Sequence, residues 1–519
     1  MSTPPAKTQI LVIGGGPAGS YSASALAREG FDVVVLEAVK HPRYHIGESM
    51  LPSVRPFLRF IDAEKKIVDH GFEIKRGAAV KFNQWKREAY TDFVAISPEN
   101  GSWNVIRSEF DEILLRHAQQ SGAKVFEGYK VNELQFAPDS EHRPVSATFT
   151  GPDGQKASIS FEYLVDASGR LGIMSTKYLK NRLMNNSLKN LACWGYWKGA
   201  GVYMPGSSRH NAPWFESLTD ESGWAWFIPL HNGTVSVGIV EDSTVSATKK
   251  AAQKGTLRDH YLAQFELVPG LKQLLGDATL VEDGPNTVKS ATDFSYAATA
   301  YAGDHFRLVG DASAFIDPFF SSGVHLALAG GLTAATSIAG SIRGHCTEKE
   351  AATFHDKKVG VSYTRFLLVV MGAYKQIRAQ EVPVLSDVDE DNFDRAFDLI
   401  RPVIQGTADA GKKITEDEVQ KTMDFVKNVF APTDPEMHEA VGARLDSSLF
   451  SADAPLMTSE DIDKLVGKDE DAKAVLGEIN ARKPIHAMYA GPAHLAMENV
   501  NGLIGNMVTG SLGLKRAEA

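Results

Sequence analysis

The sequence predicts an α/β fold: a parallel sheet flanked by helices, a second β-sheet interleaved with it along the chain, and a C-terminal helical region. Three observations carry this. Residues 9–37 alternate an apolar run, a glycine-rich turn, a helical stretch and a second apolar run. Two later apolar runs, in "EYLVDASGR" (162–170) and "HFRLVGDA" (305–312), each end in a small-residue turn. After about residue 345 the chain turns charged, with apolar residues at helical spacing.

Of the first elements, "QILVI" reads as a strand buried on both faces. "GGGPAG" places Gly14, Gly16 and Gly19 in a G-x-G-x-x-G pattern, with Pro17 and Ala18 opening a helix of small residues. Gly30 ends that helix, and "DVVVLE" is the second strand, closed by Glu37. Gly14 permits the tight turn, Gly16 lets backbone approach a pyrophosphate, and Gly19 lets the helix pack on the strand. The helix N-terminus favours the phosphate, and Glu37 is placed to accept from a ribose hydroxyl. The order strand, turn, helix, strand, acid makes this a Rossmann-like dinucleotide site.

Composition sets the outer bounds. The 519 residues are 43% hydrophobic and 23% charged, as in ordinary globular chains able to bury a large core. A net charge of −10 without a long basic tract argues against nucleic acid or an anionic membrane as partner. Cys193 and Cys346 are expected as free thiols. The N-terminus lacks a charged stretch followed by an apolar one. The apolar run "FLLVVMGAY" is too short to span a bilayer. A cytoplasmic protein without a metal site is expected.

Together the glycine turn, "EYLVDASGR" and "HFRLVGDASAFIDPFFSSGVHLALAGG" resemble the p-hydroxybenzoate-hydroxylase-like flavoprotein monooxygenase fold. The resemblance implies FAD as the dinucleotide. It assigns Asp311 to the ribityl chain or pyrophosphate, and Arg43, Gly47 and Glu48 of "HPRYHIGES" to the flavin's surroundings. It further implies contacts from Arg107, from the Val131 backbone near the adenine, and from Pro318 and Val324. No second G-x-G-x-x-G is present for a separate nicotinamide site.

"WAWFIP" matches W-x-W-x-I-P, the signature of flavin-dependent halogenases, through Trp224, Trp226, Ile228 and Pro229. "FIDPFFSSG" fits their F-x-x-P-x-x-S-x-G pattern, and "FEIKRGAAVKF" sets Lys75 where that family has its catalytic lysine. The segment most resembles fungal halogenases of phenolic and polyketide aromatic rings. The resemblance implies that FADH2, supplied by a separate flavin reductase, reacts with O2 to a C4a-hydroperoxide. Chloride or bromide is then oxidised to hypohalous acid, which Lys75 delivers to a small aromatic substrate. Backbone N–H groups of Ser322 and Gly323, at a helix start, are the expected halide ligands. Lys75 is read on one continuous strand, sharing a face with Glu73 and Lys81, and Lys81 is the alternative amine. Trp224 and Trp226 either fill a core or keep a ring away from the flavin. Phe320 stands where tryptophan-type halogenases carry a glutamate, which favours a phenolic substrate over indole.

The expected FAD-binding domain comprises 1–75, 105–190 and 290–345, and the interleaved substrate sheet 76–104 and 190–290. Residues 346–519 form the helical region closing the pocket. An NAD(P)H-dependent aromatic hydroxylase on the same fold is the competing function, followed by a flavin-dependent reductase of an unsaturated lipid.

Overall fold

A computed structural model describes residues 3–94, 98–140, 142–292, 294–381 and 433–517, apart from 452–453, 456, 458, 489–494 and 497–498. The first apolar runs become strands Ile10–Ile13 and Val33–Glu37, fully buried along their length. They lie at the centre of a six-stranded sheet. Its order is Ala302–Gly303, Phe306–Leu308, Tyr163–Asp166, Ile10–Ile13, Val33–Glu37, Lys124–Glu127. All neighbours in it are parallel except the first pair. Continuous Val, Ile and Leu suit a sheet covered by helices on its faces. The helices are Pro17–Arg28, Arg107–Gln120 and Gly323–Ile342.

A second, eight-stranded sheet carries Asn190–Lys198, Thr234–Asp242, Gly223–Pro229, Trp214–Ser217, Gly77–Lys81 and Ala89–Asp92 in that order, with Lys289–Thr292 and Thr279–Leu280 beside Asn190–Lys198. Its strands come from residues 77–92 and 190–292. The start of the smaller segment is different. Glu73–Lys75 and Gly77–Lys81 are separate strands, broken at Arg76, and Glu73–Lys75 pairs with Ser102–Asn104 in its own ribbon. One apolar cluster runs from Leu11 and Leu36 through Trp224 and Trp226 to Val370 and Tyr374, so both sheets and the helix Glu348–Ile377 share a core.

The C-terminal region is helical over Glu348–Ile377, Pro435–Gly442, Ser459–Val466 and Glu470–Met488. Helical spacing also predicts helices within 385–405, with caps at Asp387 and Asn392, and within 415–430, but these lie outside the described residues. The chain does not end in helix. Leu503–Asn506 and Gly513–Arg516 form a hairpin against Gly323–Ile342, with Leu514 lying over Gly340. Leu503 and Gly505, alternating with less buried neighbours, share one packed face with Leu514, the register partner of Gly505. Beyond "FLLVVMGAY", the helix Gly323–Ile342 is a longer apolar segment among the described residues. By length and composition it is apolar enough to cross a membrane, yet 83% of that window is buried in the protein.

Candidate active site

A cavity of about 480 Å³ opens at the carboxyl ends of the parallel strands. Gly14, Gly16, Pro17, Ala18, Glu37, Arg43, Gly47, Glu48, Arg107, Val131, Asp311, Pro318, Gly323 and Val324 line it. Gly14 has φ +103°, and a Cβ there would lie 2.3 Å from the Ala167 carbonyl oxygen. Gly19 is off the wall. A Cβ on it would come 1.9 Å from the Gly14 oxygen, so its role is helix–turn packing. The Glu37 carboxylate accepts from the N–H groups of Gly15 and Val39, which fixes it at the strand end.

One side of the cavity is electropositive. Arg107 sits at the start of its helix and reaches Asp111, one turn on, at 2.9 Å. Its Nη1 donates to the Ile46 oxygen at 2.8 Å. Arg43 meets the same Asp111 at 3.0 Å. Burial alone would raise the Asp111 carboxyl, but the Arg107 guanidinium outweighs it and holds the group below its usual range. That positive charge, with burial second, pulls His45 down to about 4, so the imidazole stays neutral. A Cβ on Gly16 would lie 3.3 Å from the Arg43 guanidinium, so a pyrophosphate here would meet a helix N-terminus and an arginine together. These residues fit FAD.

The opposite wall is aromatic. Trp224 and Trp226 leave one face of their strand, with ring centroids 5.8 Å apart, and both line the cavity. Trp226 lies over Gly238, where a Cβ would come 2.2 Å from the indole. Both readings of the pair therefore meet in one place, since the rings are core and cavity wall at once. The Trp224 indole N–H and Asn190 both donate to the Tyr374 hydroxyl at 2.8 Å, which donates to Asp317 at 2.9 Å. Asp317 also accepts the Phe319 N–H at 2.9 Å and lines the cavity. Burial pushes its carboxyl up to about 6 against these donors. Gly323 opens the helix at this turn, while Ser322 is buried and off the wall. Ile228 lines the cavity and Pro229 does not.

Lys75 is not on that wall. It is 2% exposed, whereas Ile74 is 51% exposed, because the ribbon turns its polar face inward. Its amine donates to the Met50 oxygen at 3.1 Å and lies 5.0 Å from the centre of the Phe93 ring. Burial lowers the amine to about 7. Lys81 begins no such environment. It lies in the other sheet and donates to the Lys86 oxygen at an exposed position. Glu73 and Lys75 share a face as expected, but the break at Arg76 puts Lys81 on a different strand, which corrects its place beside them.

Sequence reasoning missed Asp111, Asn190, Asp317 and Tyr374. Asp111 was readable as an i,i+4 partner on a helix. The other three come from distant segments and meet only in the fold. A further group, His70, Glu109 and His231, brings its ligand-type atoms within 4.8 Å of one another at the surface, where no metal site was expected.

The comparisons agree with this architecture. Residues 7–363 match the FAD binding domain family. The flavin-dependent halogenase armH4 of Armillaria mellea is 64% identical, over 98% of each chain. The sulochrin halogenase gedL of Aspergillus terreus is 48% identical, over 99% of this chain and 94% of its own. The myxobacterial chondrochloren halogenase CndH superposes with a TM-score of 0.66 at 25% identity, over 82% of this chain and 98% of its own. With the FAD binding domain match, identity along nearly the whole length of such relatives makes this chain an FAD-binding oxidoreductase that belongs to the flavin-dependent halogenases.

Proposed function

We propose that the enzyme chlorinates or brominates an electron-rich phenolic ring of a secondary metabolite, with Lys75 as the catalytic amine. The observation that carries this is Lys75 itself, a fully buried lysine lowered to about 7 beside the flavin cavity. A neutral amine held out of water is what capture of a small electrophilic oxidant needs. Reduced FAD with O2 supplies the oxidising equivalent that turns halide into hypohalous acid, and a separate reductase supplies the reduced flavin.

This chain's residues do the rest. Gly14, Gly16 and the helix from Pro17 would hold a pyrophosphate, and the Arg43 guanidinium beside Gly16 would offset its charge. The helix start at Gly323 offers N–H groups without helical partners to a halide. The Trp224–Tyr374–Asp317 hydrogen bonds hold that turn against the aromatic wall, which keeps a ring from the flavin. Phe320 lies against Phe366 with the rings tilted by 52° and 6.0 Å between centroids, where a glutamate would aid a poorly activated ring. Its apolar nature supports a ring already activated by a hydroxyl.

The test combines the protein, FAD, NADH, an unrelated flavin reductase and a resorcinol-bearing aromatic, with and without chloride or bromide. A halide-dependent product with the chlorine or bromine isotope pattern in mass spectrometry is expected. An added oxygen atom indifferent to halide overturns the proposal in favour of a hydroxylase.

A further inference from the structure

Buried polar atoms almost always have hydrogen-bond partners. Beside Lys75 four do not. Asn104 is 0% exposed, and neither its amide nitrogen nor its amide oxygen is paired. Ser102 and Ser49 are 0% and 7% exposed, and their hydroxyls are also unpaired. The backbone puts all three on one face. Ser102 is the register partner of Lys75, Asn104 is that of Glu73, and Ser49 bridges Asn104 from the other edge. Directly opposed residues in such ribbons project to the same side, about 5 Å apart. Ser49 also lines the flavin cavity, which Lys75 does not reach. The three side chains therefore form a polar line from the cavity wall to the amine.

We propose that Asn104, flanked by Ser49 and Ser102, is a positioning residue that receives hypohalous acid from the cavity and holds it against Lys75. This rests on the halogenase reading above. Hypohalous acid is small, with one O–H to donate and oxygen lone pairs to accept. A carboxamide offers one acceptor and two donors, and a serine hydroxyl offers either role. Groups left unpaired in the resting protein are free for such a guest. An apolar lining would give the oxidant no reason to stay, and it would leak to solvent.

Asn104→Leu keeps the side chain's shape and removes its hydrogen bonding. With FAD, reductase and halide present, free hypohalous acid caught by a 1,3-diketone scavenger should persist, while halogenated aromatic falls roughly 10-fold or more. The melting temperature of the flavin-free variant should equal or exceed that of wild type, because no hydrogen bond is lost. A wild-type ratio of product to scavenged oxidant overturns the assignment. So does a fall in melting temperature with parallel loss of FAD, which marks a structural role. If Asn104→Leu does not fold, Ser49→Ala removes one hydroxyl and should lower the same ratio severalfold, and an unchanged ratio again overturns it. A wild-type protein that oxygenates the ring without halide overturns the halogenase reading, and this assignment with it.

Discussion

Lys75 concentrates the energetics of the site in one residue. Its amine ordinarily ionises near 10.4, and burial brings it to about 7. Below pH 7 the folded protein carries a buried ammonium that the unfolded chain solvates. The Lys75 contribution to stability is therefore least favourable there and becomes less unfavourable as pH rises between about 7 and 10. Lys75→Met should stabilise the fold most at pH 6 and progressively less towards pH 10, as thermal unfolding across that range would show. Each unit of displacement is worth about 1.4 kcal/mol, so the effect is of the order of a few kcal/mol. Lys75→Ala should retain FAD and lose halogenated product while oxidant still escapes, and product at the wild-type level would move the role elsewhere. Tyr374 is the second pivot. Tyr374→Phe strands the Trp224 N–H in the core and leaves Asn190 and the Asp317 Oδ2 only their 3.3 Å bond to each other, and a loss of about 1–3 kcal/mol is expected in denaturant unfolding.

At the scale of elements, two close approaches between segments shape the cavity. The helix Pro17–Arg28 can lie on its turn only because residue 19 has no side chain. Gly19→Ala should push the helix away and reduce the flavin absorbance retained through gel filtration. The strand Thr234–Asp242 receives the Trp226 ring over Gly238 in the same way. Gly238→Ala should displace the indole, with a changed tryptophan emission and a narrower cavity as the readable consequences. The break at Arg76 is the element-scale event with most bearing on chemistry. It separates Lys75 from Gly77–Lys81 and turns it into the space behind the Met50 carbonyl. A period-two reading across residues 73–82 cannot register that, because alternation assumes one unbroken strand.

Across the whole molecule, the interleaved segments are joined by one core, and the C-terminus is tied to the front of the chain. The carboxylate of Glu29 accepts from the N–H groups of Gly510 and Leu512 at 2.8 and 3.0 Å, beside the ion pair it makes with Arg343. Leu514, 2% exposed, packs in the small cluster with Ala351 and Phe354. Leu514→Ala should cost about 2–4 kcal/mol in thermal unfolding, with little change in flavin affinity, since the hairpin lies off the cavity wall.

The sequence by itself determined the parallel sheet, the glycine turn with its helix and acid, and the aromatic strand, because each depends on residues close together in the chain. Gly14, Gly16 and Glu37 are placed by a single local unit, so spacing alone locates them. Trp224 and Trp226 are likewise brought to one face by strand alternation. The tertiary structure decided what distant segments do to one another. Asp317, Asn190 and Tyr374 meet across more than 180 positions, and no periodicity links them. Burial is the other decision that the chain could not announce. Resemblance singles out Lys75, but residue type alone does not set it apart from a surface charge, and the pairing of its strand with Ser102–Asn104 is what removes it from water, where burial lowers its amine to about 7. Desolvation is a property of everything packed around a group, so it follows from the completed fold.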